Sequence, residues 1–144
     1  MRLSALTVLV LVTACGGSGG GNSQGSGTPP PPDNTVTPIY EIQGSGATSP
    51  LDGQAVTAQG IVTGDFQDGD ADDSRNLGGF YVQGAADGNA ATSDGIFIFD
   101  GNSPSTDVKA GDIVRVEGTV KEFFGETQLD PSADGGSATA LAQV

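Results

Sequence analysis

The chain has no histidine and no tryptophan, a single cysteine, and five Lys or Arg set against 18 Asp or Glu, for a net charge of −13. Without imidazole, the scattered serines lack the usual base that would activate a hydroxyl nucleophile. The chain is therefore expected not to be an enzyme on its own. One cysteine rules out a disulfide within the molecule. So few cations leave no polybasic surface for gaining phosphate affinity through counterion release, and a charge of this sign opposes the approach of polyanions at long range. No apolar run reaches the ~20 residues that a helix needs to cross a bilayer.

What is present begins with an export address. "MRLSALTVLVLVTAC" carries one cation, Arg2, an apolar stretch from Ala5 to Val12, and small residues ahead of Cys15, the layout of a secretion signal. "VTAC" resembles a bacterial lipobox, in which Cys15 is acylated and becomes the first mature residue. The alternative is ordinary cleavage after Ala14, leaving a free thiol. Residues 15–38 then hold "GGSGGGNSQGSGTPPPPDN", almost devoid of apolar side chains, which cannot bury enough surface to order itself. It reads as a tether, a flexible Gly/Ser coil followed by a stiffer Pro spacer. The expected divisions are a signal peptide over 1–14, an acylated linker over 15–38 and a folded domain over 39–144. The product would be exported and held in the cell envelope by its lipid alone. Loss of Arg2 with the signal leaves four cations against 18 acids, a net charge of −14.

Residues 39–144 read as all-β. Asp-Gly recurs six times, at 52, 68, 87, 94, 100 and 134, with apolar runs between, as expected of strands joined by tight turns. "QAVTAQGIVTGDF" and "GDIVRVEGTVKEFFG" alternate apolar and polar residues around central glycines, Gly60 and Gly118. Long strands with a mid-strand glycine point to a sheet bent into a barrel. "GGFYVQ" and "GIFIF" supply two shorter strands, and "SATALAQV" is expected to supply the fifth. The best helical candidate is a single turn at "TDVKAG", ended by Gly111. The expectation is a small five-stranded OB-fold-like barrel after a disordered tether.

Three segments, "YEIQGSGATSPLDGQAVTAQGIVTGDFQ", "GGFYVQGAADGNAATSDGIFIFDG" and "VKAGDIVRVEGTVKEFFGETQL", resemble the OB-fold-like domain that precedes the catalytic domain in secreted bacterial nucleases of the endonuclease/exonuclease/phosphatase superfamily. The resemblance spans essentially all of 39–144. It implies extracellular nucleic-acid (DNA) degradation, with this module in an accessory role beside a nuclease catalytic domain. Two departures stand out. Such nucleases continue past the point corresponding to Val144, and the acidic residue that commonly follows the "YVQ" glutamine is here Gly84. The resemblance thus implies either a stand-alone accessory domain or the front of an interrupted nuclease, and no small-molecule substrate.

Within that frame Tyr81, Phe97 and Phe99 alternate with apolar neighbours on the second and third strands, where they could form an outward stacking surface. Arg115 and Lys121 lie on the polar face of the fourth, and Arg75 in the acidic loop. OB barrels hold single strands with aromatics and a basic groove, so these residues are the candidate nucleic-acid contacts, expected to bind weakly and salt-sensitively. The same aromatics could instead plug the barrel ends. In "DFQDGDADDSRN", Asp68, Asp70 and Asp72 have the i, i+2, i+4 spacing that begins a Ca²⁺ loop. The turn glycine is replaced by Asp73 and the closing Glu by Gly79, so a looser calcium site and a merely solvated turn both stay open. Asp87, Asn89 and Asp94 form a vaguer second cluster. The competing function is a calcium-stabilised scaffold that docks a protein through its exposed surface.

Overall fold

Two long strands, β1 (Ala55–Phe66) and β4 (Ile113–Phe123), organise the fold because each changes partner halfway along. The first half of β1 pairs antiparallel with β4, from Ala55↔Thr119 to Ile61↔Ile113, and its second half pairs with β2 (Gly79–Gln83), from Ile61↔Gln83 to Phe66↔Gly79. The changeover falls at Gly60, where a Cβ would stand 2.3 Å from the carbonyl oxygen of Gln83. A side chain there would hold the strands apart, so the sharp bend requires glycine. β4 does the same: its first half lies between β1 and β6 (Ser137–Ala142), and its second half pairs with β5 (Glu126–Asp130).

The computed structural model describes residues 35–67, 76–101, 104, 106–133 and 135–143. β3 (Gly95–Phe99) pairs antiparallel with β2 and parallel with β5, through Phe97↔Gln128 and Ile98↔Leu129. The circuit β1-β2-β3-β5-β4 closes on itself through β1–β4, a five-stranded OB-fold-like barrel, and β6 adds one strand outside it on β4. The fifth barrel strand is therefore "ETQLD", not "SATALAQV". ETQLD offers one apolar residue, Leu129; its other inward residue, Thr127, is buried by donating its hydroxyl to Glu122 Oε1 at 2.7 Å. That hides its alternation from a hydropathy reading.

The helix also lies elsewhere than expected. "TDVKAG" forms a turn in which the Lys109 N–H donates to Asp112 Oδ2 (3.1 Å) and the Asp112 N–H to the Lys109 carbonyl (3.0 Å). The one α-helix among the described residues is α1 (Ile39–Gln43), whose Ile39 and Ile42 are spaced i, i+3 and buried. It closes one end of the barrel. There the inward Glu122 accepts from the Ser49 N–H at 2.7 Å, and Ser49 donates its hydroxyl to the Ile42 carbonyl. The opposite end is closed by the fully buried Gln67. Its Nε2 donates to Asp100 Oδ2 (2.6 Å) and the Thr106 carbonyl (2.9 Å), and its Oε1 accepts from the Val108 N–H (2.9 Å).

Between these caps Phe80, Val82, Ile96, Ile98, Val62, Val114, Val116, Val120 and Leu129 fill the interior, each at most 1 % exposed. Burial of such side chains stabilises by roughly 1.5–3 kcal/mol apiece before entropy is counted. The core consumes the inward residues of β2 and β3, and so forces Tyr81, Phe97 and Phe99 onto the outer surface.

Candidate functional site

The outer face of β2 and β3 is built on absent side chains. Phe97 lies across from Tyr81, with ring centroids 4.9 Å apart at 53°, and Phe66 meets Tyr81 edge-on at 6.1 Å and 87°. The rings can lie against the sheet because Gly79 is beneath them: a Cβ there would fall 1.9 Å from the Ile98 carbonyl oxygen and 2.8 Å from the tip of the Phe97 ring. Phe97 is 6 % exposed and serves as floor. Tyr81 is half-buried and presents the accessible ring.

The tyrosine is fixed from across the face. Its hydroxyl donates to Glu126 Oε1 at 3.0 Å. Burial, together with this carboxylate, pushes the phenol's pKa above its ordinary value, so Tyr81 remains a protonated donor at neutral pH. Glu126 follows the β4–β5 turn, and the two elements enclose a groove of about 590 Å³ lined by Gln43, Tyr81, Thr92, Ser93, Phe97 and Glu126 among others. Gln43 at the end of α1 is held there by donating Nε2 to the Gly95 carbonyl at 2.7 Å. Barrels of this topology present ligands on the face of strands 2 and 3 and on the flanking loops. Among the described residues that line it, Tyr81 and Glu126 are the ionisable ones.

The expected contact residues are only partly gathered. Tyr81 and Phe97 share the groove, whereas Phe99 sits further along β3, its ring 3.2 Å from where a Cβ on Gly78 would be. Arg115 stands between Gln59 of β1 and Thr139 of β6, on the first half of β4, and is not part of the groove lining. Lys121 is paired through Nζ with Asp130 Oδ2 at 2.7 Å. Burial alone would raise the Asp130 carboxyl, but hydrogen bonds from Lys121, Ser132 and the Ala133 N–H outweigh it and hold its pKa below the ordinary value. The basic residues of β4 therefore do not supply a cationic wall to the aromatic groove.

Cys15 and the candidate calcium residues Asp68, Asp70 and Asp72 lie outside the described residues. The second acidic cluster is a self-bonded turn. Asp87 Oδ1 accepts from the Asn89 N–H (2.7 Å), Asp87 Oδ2 from the Thr92 hydroxyl (2.9 Å), Asn89 Oδ1 from the Ala91 N–H (3.1 Å), and Asp94 Oδ1 from the Asp87 N–H (3.3 Å). Among the described residues no three acidic, cysteine or histidine side chains come together as a metal site.

Sequence reasoning missed Glu126 and the pair Phe123–Phe124. The signal was weak: in "FFGE" the residue before the glycine is Phe rather than the Asn, Asp or Gly that marks a two-residue hairpin, and the strand after it shows no hydropathy alternation. Phe124 occupies that tip at φ 50°. Comparison of the chain with protein-family models, with curated proteins and with solved structures finds no match.

Proposed function

We propose that this barrel is a non-catalytic binding module of an extracellular nucleic-acid-degrading system, lipid-anchored through Cys15, which holds single-stranded nucleic acid weakly on its β2–β3 face and positions it for a nuclease catalytic domain. The observation that carries this reading is the partly exposed Tyr81 ring, backed by Phe97 and flanked by Phe66, on the β2–β3 face, which is where OB-fold barrels generally bind ligands. With no histidine in the chain, hydrolysis is left to a partner or to a further domain. The test is a fluorescence-anisotropy titration with labelled single-stranded and duplex oligonucleotides. Single strands should bind, duplexes should bind less, and Tyr81→Ala should abolish the difference. Absence of binding at high micromolar protein would end the proposal.

A second reading is favoured by a different surface. Ile61 and Ile113 lie directly opposite each other on β1 and β4, are 51 % and 37 % exposed, and share an apolar depression with Val36. This suits a scaffold that docks a protein through that side of the barrel. Ile61→Thr with Ile113→Thr should then abolish association with a co-purifying nuclease and leave oligonucleotide binding intact.

A further inference from the structure

We infer that the β2–β3 groove grips unpaired nucleobases rather than phosphates, and that Phe124 supplies its outermost stacking surface; this rests on the nucleic-acid reading above. Phe124 is 96 % exposed. It also sits in the left-handed backbone region, φ 50°, which bulky L-residues avoid and where Asn, Asp or Gly would hold the turn more stably. An aromatic ring there is costly to the fold on both counts. It is also supported, because Phe123 meets it edge-on with centroids 4.7 Å apart at 79°. The same turn continues directly into Gly125, Glu126 and Thr127, which wall the groove, and Glu126 ties that wall to Tyr81. Phe124 itself lies one residue beyond that lining, so a strand that runs past the Gly125–Thr127 wall onto the hairpin tip would add its ring to the surface of Tyr81 and Phe97.

The charges decide which part of the polymer is gripped. Among the described residues the lining includes no Lys or Arg and does include the Glu126 carboxylate, and Lys121 is engaged by Asp130. Without cations at the site, counterion release contributes little, so the slope of affinity against salt should be near zero instead of steeply negative. Screening of the repulsion between phosphates and an acidic surface pushes that slope toward positive. Gln43, Thr92 and Ser93 are the neutral polar side chains of the lining; Gln43 Nε2 and the Ser93 hydroxyl donate to the Gly95 carbonyl and the Thr92 hydroxyl donates to Asp87, so base edges would use their remaining hydrogen-bonding capacity or displace these bonds. An apolar, salt-tolerant grip on single strands follows.

The experiment uses the full chain with labelled oligo(dT), oligo(dA) and an abasic strand of equal length, at about 50 mM and about 500 mM NaCl. Normal strands should bind at both salts with equal or higher affinity at the higher one, the abasic strand should not bind, and Phe124→Ala should weaken binding about tenfold or more. Phe124→Asn separates binding from folding, since it should keep or raise the melting temperature while losing affinity to the same extent. Failure of the unmodified chain to bind any strand sinks both this inference and the reading beneath it. Binding that includes the abasic strand, collapses at high salt, or survives both Phe124 substitutions overturns the inference alone.

Discussion

Asp100 offers a quantitative handle on how an acidic chain tolerates a buried carboxylate. It is 8 % exposed at the end of the barrel; Oδ2 accepts from Gln67 Nε2 at 2.6 Å, while Oδ1 has no hydrogen-bond partner. Burial raises its pKa from 3.8 to about 6, opposed by the hydrogen bonds from Gln67 and from its own backbone and assisted by the charge of Asp65. A folded-state pKa above the unfolded one means that the folded protein binds the proton more tightly. Ionisation therefore costs stability: the penalty is absent below about 3.8, grows as pH rises, and is complete above about 6. Two pKa units at ~1.4 kcal/mol each give roughly 3 kcal/mol. At ~4–8 °C per kcal/mol for a domain of this size, Asp100→Asn should melt at least several degrees higher at pH 8, because the amide keeps an acceptor for Gln67 and carries no charge. Thermal denaturation followed by circular dichroism from pH 4 to pH 8 should show the two proteins converging at the acid end. A neutral or destabilising effect at pH 8, or an advantage that persists unchanged at pH 4, would refute the reasoning.

Asp130 works in the opposite direction. Its lowered pKa contributes stability that is present above the ordinary carboxylate value of 3.8 and is lost as pH falls through its lower folded value, so Asp130→Asn should destabilise at neutral pH and converge with the unmodified chain at the acid end of a pH series of melting temperatures. Lys121→Ala removes that support, but Lys121 is 45 % exposed, so the loss should be ~1 kcal/mol or less at neutral pH and should shrink further with added salt. Gly79→Ala puts a methyl against the Ile98 carbonyl and the Phe97 ring, and should destabilise by ~1–3 kcal/mol or more in urea denaturation while lowering oligonucleotide affinity. If Asp68, Asp70 and Asp72 wrap Ca²⁺, millimolar Ca²⁺ should raise the melting temperature and chelator should reverse it; a flat titration would leave those carboxylates hydrated.

The barrel was legible because its signals are local. Asp-Gly pairs mark turns, and at Gly53, Gly88, Gly101 and Gly135 the glycine does take a positive φ. Gly60 and Gly118 stand where two alternating strands change partner, and the approach of Gln83 and of the Asp130 carbonyl explains why no side chain fits. Two elements were misread for equally local reasons. β5 has too little hydrophobicity to announce itself, and α1 is a five-residue helix with only two apolar anchors, too short to show a period.

The candidate site was legible only where it depends on alternation along a strand. Facing residues on β2 and β3 could be read off, and Tyr81 and Phe97 are indeed neighbours; Phe99, two residues on, is carried past the groove by the same strand geometry. Charge could not be read this way, because its effect depends on what lies opposite in space. Lys121 looks available in the sequence until β5 brings Asp130 to it, nine residues away, and Tyr81 meets its carboxylate partner 45 residues on. The two pairings have one electrostatic consequence: Lys121 is ion-paired with Asp130 outside the groove lining, and the Glu126 carboxylate stands inside it. A net charge of −13 disfavours phosphate binding on composition alone, but the distribution of that charge carries the stronger implication. On the proposed reading, a ligand on this face is held by rings and neutral polar groups, which makes Phe124, 96 % exposed and at φ 50° in the hairpin, the residue whose removal is most informative.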